Sequence, residues 1–539
     1  MDTEFDLIVV GAGINGAGIA RDASMRGLKV LLVDKGDVGG GTSAGSTRLI
    51  HGGLRYLEHF EFGLVRESLR ERETLLRIAP HLVRPLEITI PIYRESARGR
   101  ATIHAGMVVY ELLAWGKSLP RYRMQSVAET LRRMPGLRVE GVVGSAVYFD
   151  AQVEFAERLV VENVLAAIEC GASVLTYTRV GKLLSEDGRV RGVQLEGDFA
   201  EPALARVVIN AAGPWVDQLI AQRIDGARER LIGGTKGSHI VVAPFSGAPE
   251  GAVYLEAVSD RSPFFVIPWN GNYLIGTTDV RFEDDLDQVR SEVWEVDYLL
   301  AETNRAFPGA ELTREQVLYT YSGVRPLPFT KNDDEQSITR KHFLREHPQF
   351  PNLISVVGGK LTTYRSLAEE CVDLIFRKLE RPVPRCETAR VPLPGAADNC
   401  SEFSLQAALT DDKLKLELRT RAPSNGGESF ASVCERWQRI YGSRAREVAE
   451  LAERFEGEDP LTAEIVFAFE KEFATSLADC FLRRTMIGLN ADLGLGDIER
   501  AAEIGKKFLG WTDERAKREV EVYKEEISNR INDRFHHAQ

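Results

Sequence analysis

FDLIVVGAGINGAGIARDASMRGLKVLLVD, residues 5–34, is the stretch that decides the fold. It divides into an apolar run, a glycine-rich turn, a helix-like segment and a second apolar run, at residues 5–10, 11–16, 17–26 and 29–33. Both apolar runs have the length and composition of strands buried in a parallel sheet. Gly27 stands where the end of a helix favours a positive φ. The stretch therefore predicts a complete β-α-β unit.

The turn carries the pattern Gly11-x-Gly13-x-x-Gly16, and Asp34 closes the second strand. In such a unit the first glycine permits a tight turn, the second lets the backbone approach a pyrophosphate, and the third lets helix pack on strand. The helix N-terminus offers N–H groups and a positive dipole end to phosphates, and Asp34 can accept hydrogen bonds from ribose hydroxyls. A purely structural glycine turn is the alternative. Because strand, helix, second strand and acid all agree, we predict dinucleotide binding.

Length and composition narrow the class of protein. The 539 residues are enough for two or three domains and a large core. The formal net charge of −12 argues against nucleic acid as a partner, since proteins that bind it usually present a basic face. The absence of any C-x-x-C pair predicts reduced, structural thiols on the cytosolic side and no metal site. The six cysteines stand at positions 170, 371, 386, 400, 434 and 480.

One apolar segment has two interpretations. No run in the sequence is long enough to span a bilayer, and the nearest candidate is AGMVVYELLAW, residues 105–115, which has basic residues on both sides. A short apolar helix between basic flanks suits an interfacial anchor on anionic lipid. It equally suits a core helix with solvated ends, and from the residues alone we prefer the core helix.

Small and polar residues follow the first unit. The loop GGGTSAGSTR, residues 39–48, is a poor core former and a good wrapper for a polar cofactor. It leads into HGGLRY, residues 51–56, and then into a predicted amphipathic helix over residues 61–78. Around residues 146–157 a strand passes into a helix that continues to Gly171.

The rest of the chain changes character twice. Further strands are predicted at residues 174–177, 190–195, 205–210, 240–242, 264–269, 273–277, 319–325 and 352–357. From Gly233 to the last of these strands the pattern predicts only strands and turns, including a hairpin at Asn270–Asn272. GGKLTT, residues 358–363, then feeds a helix over 364–378, as a second glycine-rich strand-to-helix turn. Residues 382–394 are predicted to be a linker, and the pattern beyond them is helical with no evident chemistry.

Several longer motifs point to a family. They are GAGINGAG, TS-x-x-STRLIHGGLRYLEHFEF, INAAGPWVD, KGSHIVV, VIPW, IGTTD, YSGVRPL, ITR and GGKLTTYR, in this order. Together they resemble FAD-dependent glycerol-3-phosphate dehydrogenase of the aerobic, quinone-linked type. The resemblance runs from Phe5 to about Leu379, and the helical tail resembles the C-terminal domain of that family more loosely.

The resemblance implies a reaction and its partners. It implies oxidation of sn-glycerol 3-phosphate to dihydroxyacetone phosphate by hydride transfer from C2 to N5 of a non-covalent FAD. Electrons would then pass to membrane quinone, which gives the apolar segment at residues 105–115 a purpose as an anchor. The protein would be cytoplasmic, peripherally associated with the inner face of the cytoplasmic membrane, and a homodimer is left as a possibility.

The same resemblance and the chemistry of the substrate suggest the substrate site. A phosphate dianion calls for arginines, because guanidinium gives bidentate geometry that lysine cannot. Removal of hydride from an alcohol also needs a base for the hydroxyl proton, and His239 suits this role, although a satisfied core histidine is its alternative. We predict Arg55, Arg325, Lys360 and His239 as catalytic residues. The predicted substrate-binding residues are these four together with Tyr56, Thr278, Asp279 and Arg340.

The predicted cofactor site has four parts. The ADP half would be held by Gly11, Gly13, Gly16 and Asp34, and the further predicted cofactor-binding residues are Ile14, Asn15, Lys35 and Val180. The pyrophosphate and isoalloxazine side would be lined by Thr42, Ser43, Ser46, Arg48, Leu49, His51 and Gly52. The interdomain strand would contribute Ala212, Gly213 and Trp215. The flavin O2/N1 edge would meet Gly359, Lys360, Leu361 and Thr362, where a helix N-terminus favours negative charge.

We therefore predict an α/β fold: a Rossmann-like FAD-binding domain interleaved with an antiparallel-sheet substrate domain, plus a C-terminal all-helical domain. The FAD-binding domain comprises residues 1–85, 144–232 and 337–379, and the substrate domain residues 86–143 and 233–336. Residues 380–394 form the linker and residues 395–539 the helical domain. An oxygen-using glycerol-3-phosphate oxidase, a related amine or amino-acid oxidase, and a flavin-binding regulatory protein without catalysis are the alternative functions.

Overall fold

The structure is a computed structural model that describes residues 4–197, 199–221, 230–330, 338–396, 430–455, 458–528 and 530. Two predicted features lie outside these residues: Cys400 and the domain boundary at residues 336 and 337. Parts of the predicted helical domain, including residues 397–429 and 531–539, also lie outside them. All statements below concern the described residues.

The strands and helices alternate through the first 380 residues, and only helices follow. The strands are β1 (Glu4–Val10), β2 (Val30–Val33), β3 (Leu49–Ile50), β4 (Val83–Tyr93), β5 (Arg123–Gln125), β6 (Val142–Val153), β7 (Ser173–Leu175), β8 (Arg179–Glu186), β9 (Arg189–Glu196), β10 (Pro202–Asn210), β11 (Thr235–Val242), β12 (Ala252–Glu256), β13 (Pro263–Trp269), β14 (Asn272–Gly276), β15 (Val280–Arg281), β16 (Val317–Arg325), β17 (Phe343–His347) and β18 (Phe350–Val357). The helices are α1 (Ile14–Met25), α2 (Phe62–Ile78), α3 (Arg100–Leu113), α4 (Val127–Arg133), α5 (Ala156–Glu169), α6 (Val216–Ala221), α7 (Val293–Ala306), α8 (Tyr364–Lys378), α9 (Phe430–Tyr441), α10 (Ala445–Glu453), α11 (Pro460–Lys471), α12 (Leu477–Asp479), α13 (Ile498–Phe508) and α14 (Asp513–Ser528).

The first sheet is built around the N-terminal unit. β1 lies between β2 and β10 and is parallel to both, β2 continues to β7, and β10 continues to β18. β8, β9 and β17 add antiparallel strands at this sheet. α1 packs against α5 and α8 on one face. The predicted β-α-β unit is confirmed, and the carboxyl ends of β1, β10 and β18 meet at one edge, where ligands bind in open α/β sheets.

The second sheet is largely antiparallel. Its ten strands run in the order β15-β11-β14-β13-β12-β4-β6-β3, with β16 paired to β11 and β5 to β6, and only the β4–β12 pair is parallel. The β13–β14 hairpin turns at Asn270 and Gly271, as predicted. The predicted fold class, an α/β domain with a second antiparallel sheet and a helical C-terminal region, is confirmed.

One element contradicts the prediction that residues from Gly233 onward form only strands and turns. α7 is a 14-residue helix within that region. Glu292 and Glu295 form a capping box at its start, and Val296, Leu299 and Leu300 follow at helical spacing and are buried. The apolar spacing is a sequence signal for a helix, whereas the usual capping-box pattern begins with Ser or Thr and not with Glu. The prediction is wrong here because the strand patterns on either side of α7 dominate the region, while the apolar residues of α7 itself recur at helical spacing.

The apolar segment at residues 105–115 is not a core helix, so that preferred interpretation is wrong. Only Met107 and Tyr110 are buried in α3. Val108, Leu112 and Trp115 are exposed by 40%, 62% and 89%. α3 therefore packs on one face and presents apolar side chains on the other. Within the described residues, no helix is long and apolar enough to cross a bilayer.

The C-terminal helices share a core with the second sheet and form buried ion pairs with α5 and with the loop after β2. Arg158 of α5 is fully buried and binds Glu472 with an Nη1–Oε2 distance of 2.5 Å. Asp37, in the loop after β2, accepts hydrogen bonds from Arg484 at 2.6 Å and 2.9 Å. The predicted helical tail is confirmed for the described residues. Five cysteines, at positions 170, 371, 386, 434 and 480, are free thiols.

Candidate active site

A cavity of about 770 Å³ is lined by residues of both sheets. It extends from the glycine-rich turn after β1 to β11 and β16 in the second sheet. Most of the residues predicted from the sequence line it: Gly11, Gly13, Ile14, Asn15, Asp34, Lys35, Thr42, Ser43, Ser46, Arg48, Leu49, His51, Tyr56, Val180, Ala212, Gly213, Trp215, His239, Arg325, Arg340, Gly359, Lys360, Leu361 and Thr362. Segments far apart in the chain therefore converge on one space.

Five predicted residues stand behind the walls of this cavity. A Cβ on Gly16 would lie 1.8 Å from the Gly11 carbonyl oxygen, so Gly16 allows α1 to pack on β1. The Gly52 N–H donates to the Tyr110 hydroxyl at 2.9 Å. Arg55 is half-buried in the 3₁₀ turn after Gly53. The remaining two, Thr278 and Asp279, support the walls through hydrogen bonds described below.

The glycine-rich turn is built for close approach. Gly11 has φ +104°, and a Cβ there would lie 2.6 Å from the Ala211 carbonyl oxygen. Only glycine fits both the conformation and the space. The Asp34 carboxylate accepts the Ala12 N–H at 2.6 Å and the Gly36 N–H at 2.9 Å, and burial raises the pKa of this carboxyl. Asp34 thus fixes both loops at this end of the cavity.

The loop over residues 39–48 closes one side. The Ser43 hydroxyl accepts the Ile14 N–H at 3.0 Å, and Thr42 donates to the Val324 carbonyl at 2.6 Å. The loop therefore joins the N-terminus of α1 to β16 of the second sheet. Arg48 also lines the cavity, but its guanidinium is buried and binds both oxygens of Glu157 at 2.7 Å. That ion pair anchors the loop.

His239 lies in β11, at the second sheet's end of the cavity. Its ring stacks on Tyr321 of β16 with centroids 4.8 Å apart, and its Nε2 lies 2.9 Å from the Thr47 hydroxyl. Nδ1 is buried and has no hydrogen-bond partner within the described part of the chain. Burial, with the nearby charges of Arg325 and Arg48, lowers the pKa of His239 well below its ordinary value. The imidazole is therefore neutral near pH 7.

Two arginines meet at one carboxylate beside His239. Asp279 binds Arg325 at 3.0 Å and Arg340 at 2.9 Å, one through each oxygen. Although burial opposes it, these two guanidiniums, with a smaller contribution from Arg55, lower the pKa of the Asp279 carboxyl. Arg325 also donates to the Thr277 hydroxyl at 3.1 Å. Nη1 of Arg340 is buried without a partner among the described residues.

Lys360 completes this cationic end. Its ammonium lies 4.5 Å from the centre of the Tyr56 ring and donates to the Ser68 hydroxyl at 2.9 Å. Burial lowers the pKa of Lys360 to about 7. Burial, with the charges of Lys360 and Arg72, lowers the pKa of His51 to about 3. His51 is therefore neutral, and Lys360 changes its charge near neutral pH. Perturbed groups of this kind are typical of functional sites.

The sequence analysis missed several cavity residues. Tyr321 and Thr47, the partners of His239, stand inside quoted motifs, but the register of β11 against β16 is needed to place Tyr321 at the imidazole, and the fold of the loop to place Thr47 there. The Asp287 carboxylate forms an ion pair with Lys35 at 2.5 Å and accepts a hydrogen bond from the Trp215 indole N–H at 3.0 Å. The helical tail, which showed no evident chemistry, contributes Arg483, Glu526 and Arg530 to the lining. None of these contacts leaves a short-range sequence signal.

Comparison with known proteins agrees with this geometry. The profile of the FAD dependent oxidoreductase family matches residues 6–372, and that of the C-terminal domain of alpha-glycerophosphate oxidase matches residues 386–516. A glycerol-3-phosphate dehydrogenase of Synechocystis sp. is 45% identical over 97% of this chain and 96% of its own length. The chain belongs to the glycerol-3-phosphate dehydrogenase family of FAD-dependent oxidoreductases.

Two further relatives delimit the family. A D-erythritol 1-phosphate dehydrogenase of Brucella abortus is 35% identical, over 94% of this chain and 97% of its own. The crystal structure of the glycerol-3-phosphate dehydrogenase from Bacillus halodurans, complexed with FAD, is 28% identical, with a TM-score of 0.78, and covers 100% of this chain and 97% of its own. The glycerol-3-phosphate dehydrogenase family thus includes members named for two polyol phosphates.

FAD is the cofactor of this oxidoreductase, and the cavity fits it. The cavity extends from the glycine-rich turn of the first sheet to the second sheet. At that turn Gly11 has no side chain, and a Cβ there would collide with the Ala211 carbonyl oxygen. Asn15, at the start of α1, lines the cavity and has a buried Oδ1 without a partner among the described residues. Such an orphaned acceptor in a cavity wall suits a polar ligand, because unpaired buried polar atoms are rare in native proteins.

Proposed function

We propose that this flavoenzyme oxidises sn-glycerol 3-phosphate to dihydroxyacetone phosphate, by hydride transfer from C2 to N5 of FAD, and passes the electrons to membrane quinone. The names of its relatives support a polyol phosphate as substrate. Two features of this chain support the phosphate and the alcohol separately: the cluster of cations around Asp279 and the neutral histidine beside it. The domain limits and the site residues given above are part of this proposal.

The observation that carries the proposal is the unpartnered guanidinium nitrogen of Arg340. Arg340 and Arg325 share one carboxylate, so the pair keeps a net positive charge. Nη1 of Arg340 is buried without a partner in the described residues, at a position that lines the cavity. A phosphate dianion would satisfy that donor, and hydrogen bonds of guanidinium to phosphate are among the strongest in proteins. An uncharged alcohol would not balance the charge.

His239 is proposed to take the hydroxyl proton. When Nε2 carries the hydrogen and donates to Thr47, Nδ1 keeps a free lone pair. The lowered pKa leaves His239 neutral and therefore able to accept a proton at neutral pH. Oxidation of the C2 alcohol releases one proton, which His239 accepts at Nδ1, and one hydride. FAD, when bound, supplies the hydride acceptor.

Lys360 and the start of α8 are proposed to stabilise negative charge at the flavin O2/N1 edge. Gly359 has φ +100° and leads into the turn before α8, so the backbone can approach a planar ligand there. The pKa of Lys360 near 7 follows from its burial. A neighbouring anion favours the ammonium form. The substrate phosphate would supply such an anion.

The exposed face of α3 is proposed as the membrane contact. It carries Val108 and Leu112, Trp115 stands in the turn that follows the helix, and the groove beside them is lined by Arg121 and Arg123. An apolar helix face next to arginines suits the boundary of an anionic bilayer, where the apolar side chains insert and the cations meet lipid phosphates. Attachment by this face would bring the enzyme to the membrane that holds quinone and keep it peripheral on the cytoplasmic side.

Steady-state turnover with an artificial acceptor tests the substrate. The enzyme should oxidise sn-glycerol 3-phosphate with a higher kcat/KM than D-erythritol 1-phosphate and should not oxidise glycerol. Loss of the phosphate forfeits the charged hydrogen bonds, each of which contributes about 1.5–3 kcal/mol. Preference for D-erythritol 1-phosphate, or equal rates with glycerol, would contradict the proposed substrate.

The electron acceptor needs its own test, because the profile that matches the C-terminal region is named for an oxidase. Enzyme on quinone-loaded anionic vesicles should consume sn-glycerol 3-phosphate, reduce the quinone and release no stoichiometric hydrogen peroxide. Hydrogen peroxide formed in step with substrate, in air and without quinone, would instead identify an oxygen-using oxidase.

A further inference from the structure

Glu295, in the first turn of α7, is a fully buried carboxylate directly behind the cationic end of the cavity. Its side chain has no solvent exposure and forms an ion pair with Lys236 at 2.8 Å. Its Oε1 accepts the hydroxyls of Ser238 at 2.8 Å and Thr278 at 2.7 Å. Its Oε2 also accepts the Glu292 N–H at 2.9 Å. Four donors therefore converge on one carboxylate, which compensates the cost of burying it.

The two hydroxyls that bind Glu295 belong to the immediate neighbours of the groups proposed to act on substrate. Ser238 precedes His239 in β11, and Thr278 precedes Asp279 after β14. The Ser238 N–H also donates to the Thr278 hydroxyl at 2.9 Å, so the two segments are joined at this point. Thr278 donates its own hydrogen to Glu295, because an ionised carboxylate can only accept.

The network also reaches the cavity wall. The Ser238 and Ser322 hydroxyls lie 2.8 Å apart, and Ser322 lies 2.9 Å from Ser291. Ser322 and Ser291 both line the cavity. Glu295 accepts but cannot donate when ionised, so Ser238 donates to it, and Ser322 in turn donates to Ser238. The direction of every hydrogen bond in this row is thus set by the charge on Glu295.

We propose that Glu295 is a positioning residue for the reaction: it fixes the backbone beside His239 and Asp279 and so sets the distance between the proton acceptor and the phosphate-binding arginines. The proposal rests on the function proposed above. A substrate held between a base and a phosphate site reacts well only within a narrow range of that distance, and errors of about 1 Å cost on the order of 100-fold in rate.

The neutral isostere exposes the role of the charge. In Glu295→Gln the amide oxygen still accepts hydrogen bonds, but the NH₂ group replaces the other carboxylate oxygen and faces donors. In one orientation these donors are the two hydroxyls, and in the other they are Lys236 and the Glu292 N–H. Lys236 would also lose its ion pair inside the protein, where an unpaired ammonium is costly. The row of hydroxyls can then reverse, and the segments at Ser238 and Thr278 lose their common anchor.

The same helix offers a matched control. Glu302 is also buried in α7, accepts the Val258 N–H at 2.7 Å and pairs with Arg305. Its partners lie in a loop and on the helix surface, away from the cavity. A general effect on the packing of α7 should appear in both Glu295→Gln and Glu302→Gln, whereas an effect on positioning should appear only in Glu295→Gln.

The test compares wild type and both variants, each loaded with FAD, by three measurements: FAD affinity, steady-state kinetics, and the affinity for dihydroxyacetone phosphate from its perturbation of the flavin spectrum. For Glu295→Gln we expect unchanged FAD affinity, a fall of about 10- to 100-fold in kcat/KM, and weaker product binding. Glu302→Gln should match wild type in all three. Native kinetics and native product binding in Glu295→Gln would overturn the proposal.

A second variant covers the case in which Glu295→Gln does not fold. Ser238→Ala removes one of the two hydroxyls with almost no change in volume and should lower kcat/KM in the same direction by a smaller factor. Full activity in Ser238→Ala would then contradict the proposal. Where Glu295→Gln folds, adding Ser238→Ala to it should have little further effect, because residues in one network are not additive.

Failure of the proposed function can be told apart from failure of this inference. If wild type did not oxidise sn-glycerol 3-phosphate, the substrate would be wrong. Inorganic phosphate would then replace the product as the ligand of the arginine pair, and Glu295→Gln should still bind it more weakly than Glu302→Gln. Equal phosphate affinities in the two variants would overturn the positioning role by itself.

Discussion

Asp279 holds Arg325 through one carboxylate oxygen at 3.0 Å, while its other oxygen binds Arg340 at 2.9 Å. The carboxylate therefore sets the direction of two guanidiniums without neutralising both. Asp279 stands outside the cavity lining and both arginines stand inside it. This arrangement gives a fixed pair of donors rather than two flexible surface side chains, and it leads to the first prediction.

Arg325→Lys should raise KM for sn-glycerol 3-phosphate and lower kcat/KM by about 30-fold, since the loss of one charge-assisted hydrogen bond costs about 2 kcal/mol. Lysine keeps the charge but loses the planar set of donors. The control is Arg314→Lys, because Arg314 forms an Arg–Asp pair with Asp297 at 2.6 Å on the surface. Equal kinetics for the two variants would remove Arg325 from the phosphate site.

His239→Gln should slow flavin reduction by about 100- to 10,000-fold, the range expected for loss of a general base, with FAD affinity unchanged. Because its pKa lies well below the ordinary value, His239 stays unprotonated from pH 6 upward. The wild-type rate should therefore show no loss as the pH falls through 6.5. His342→Gln is the control, since His342 is buried but binds Glu370 away from the cavity. A rate for His239→Gln close to that of wild type would mean that another group accepts the proton.

Lys360 should dominate the pH dependence of kcat/KM near neutrality. Its pKa is lowered to about 7, so the ammonium is present below that pH and is lost as the pH rises. An anionic substrate binds the protonated form better, so kcat/KM should fall between pH 6 and pH 8. Lys360→Met should abolish this fall and lower the rate at pH 6. Lys378→Met, which removes a surface lysine paired with Glu346, should keep the wild-type profile. An identical profile in Lys360→Met would exclude Lys360 as its cause.

Gly11→Ala should yield a protein without FAD. The new Cβ would lie 2.6 Å from the Ala211 carbonyl oxygen at φ +104°, so the turn must move away from its present position. The control is Gly106→Ala in α3, where nothing lies within 4 Å of the added Cβ. That variant should retain FAD and gain up to about 1 kcal/mol in the free energy of unfolding. Absorbance at the flavin maximum after gel filtration measures the FAD that each variant retains. A yellow Gly11→Ala protein would show that the turn does not carry the cofactor.

Trp115→Asp should abolish sedimentation with anionic vesicles while leaving turnover with a soluble acceptor unchanged. Trp115 is 89% exposed in the turn that follows α3, beside Val108 and Leu112, and an aspartate there opposes both insertion and attraction to anionic lipid. Trp294→Asp is the matched control, because this tryptophan is 53% exposed on α7. Vesicle binding lost equally in both variants, or in neither, would contradict attachment through α3.

Local signals made much of the fold predictable. The glycine-rich turn, the helix over residues 364–378 and the hairpin at Asn270 depend on a few adjacent residues, and the structure has them where the sequence predicts. α7 was not predicted, although Val296, Leu299 and Leu300 recur in it at helical spacing. The strands on both sides of α7 dominate the sequence pattern of this region.

Contacts between distant segments were not predictable in the same way. The stacking of His239 on Tyr321 depends on the register of β11 against β16, and no short pattern encodes that register. Arg48 resembled a cofactor ligand in sequence, yet its guanidinium binds Glu157, which lies 109 residues away. The pattern of α3 defined an apolar face, but only the packing of neighbouring elements shows that Leu112 on that face and Trp115 just after the helix are left uncovered.

The enzyme is proposed to oxidise a phosphate ester bound in this cavity, by hydride transfer from C2 to the flavin. The most direct measurement is anaerobic stopped-flow reduction of the FAD-loaded enzyme by sn-glycerol 3-phosphate carrying hydrogen or deuterium at C2, with the product identified after the flavin absorbance is lost. We predict bleaching that is several-fold slower with deuterium, one dihydroxyacetone phosphate per flavin, and no bleaching by glycerol. A flavin that stays oxidised with the phosphate ester, although FAD is bound, would contradict the account.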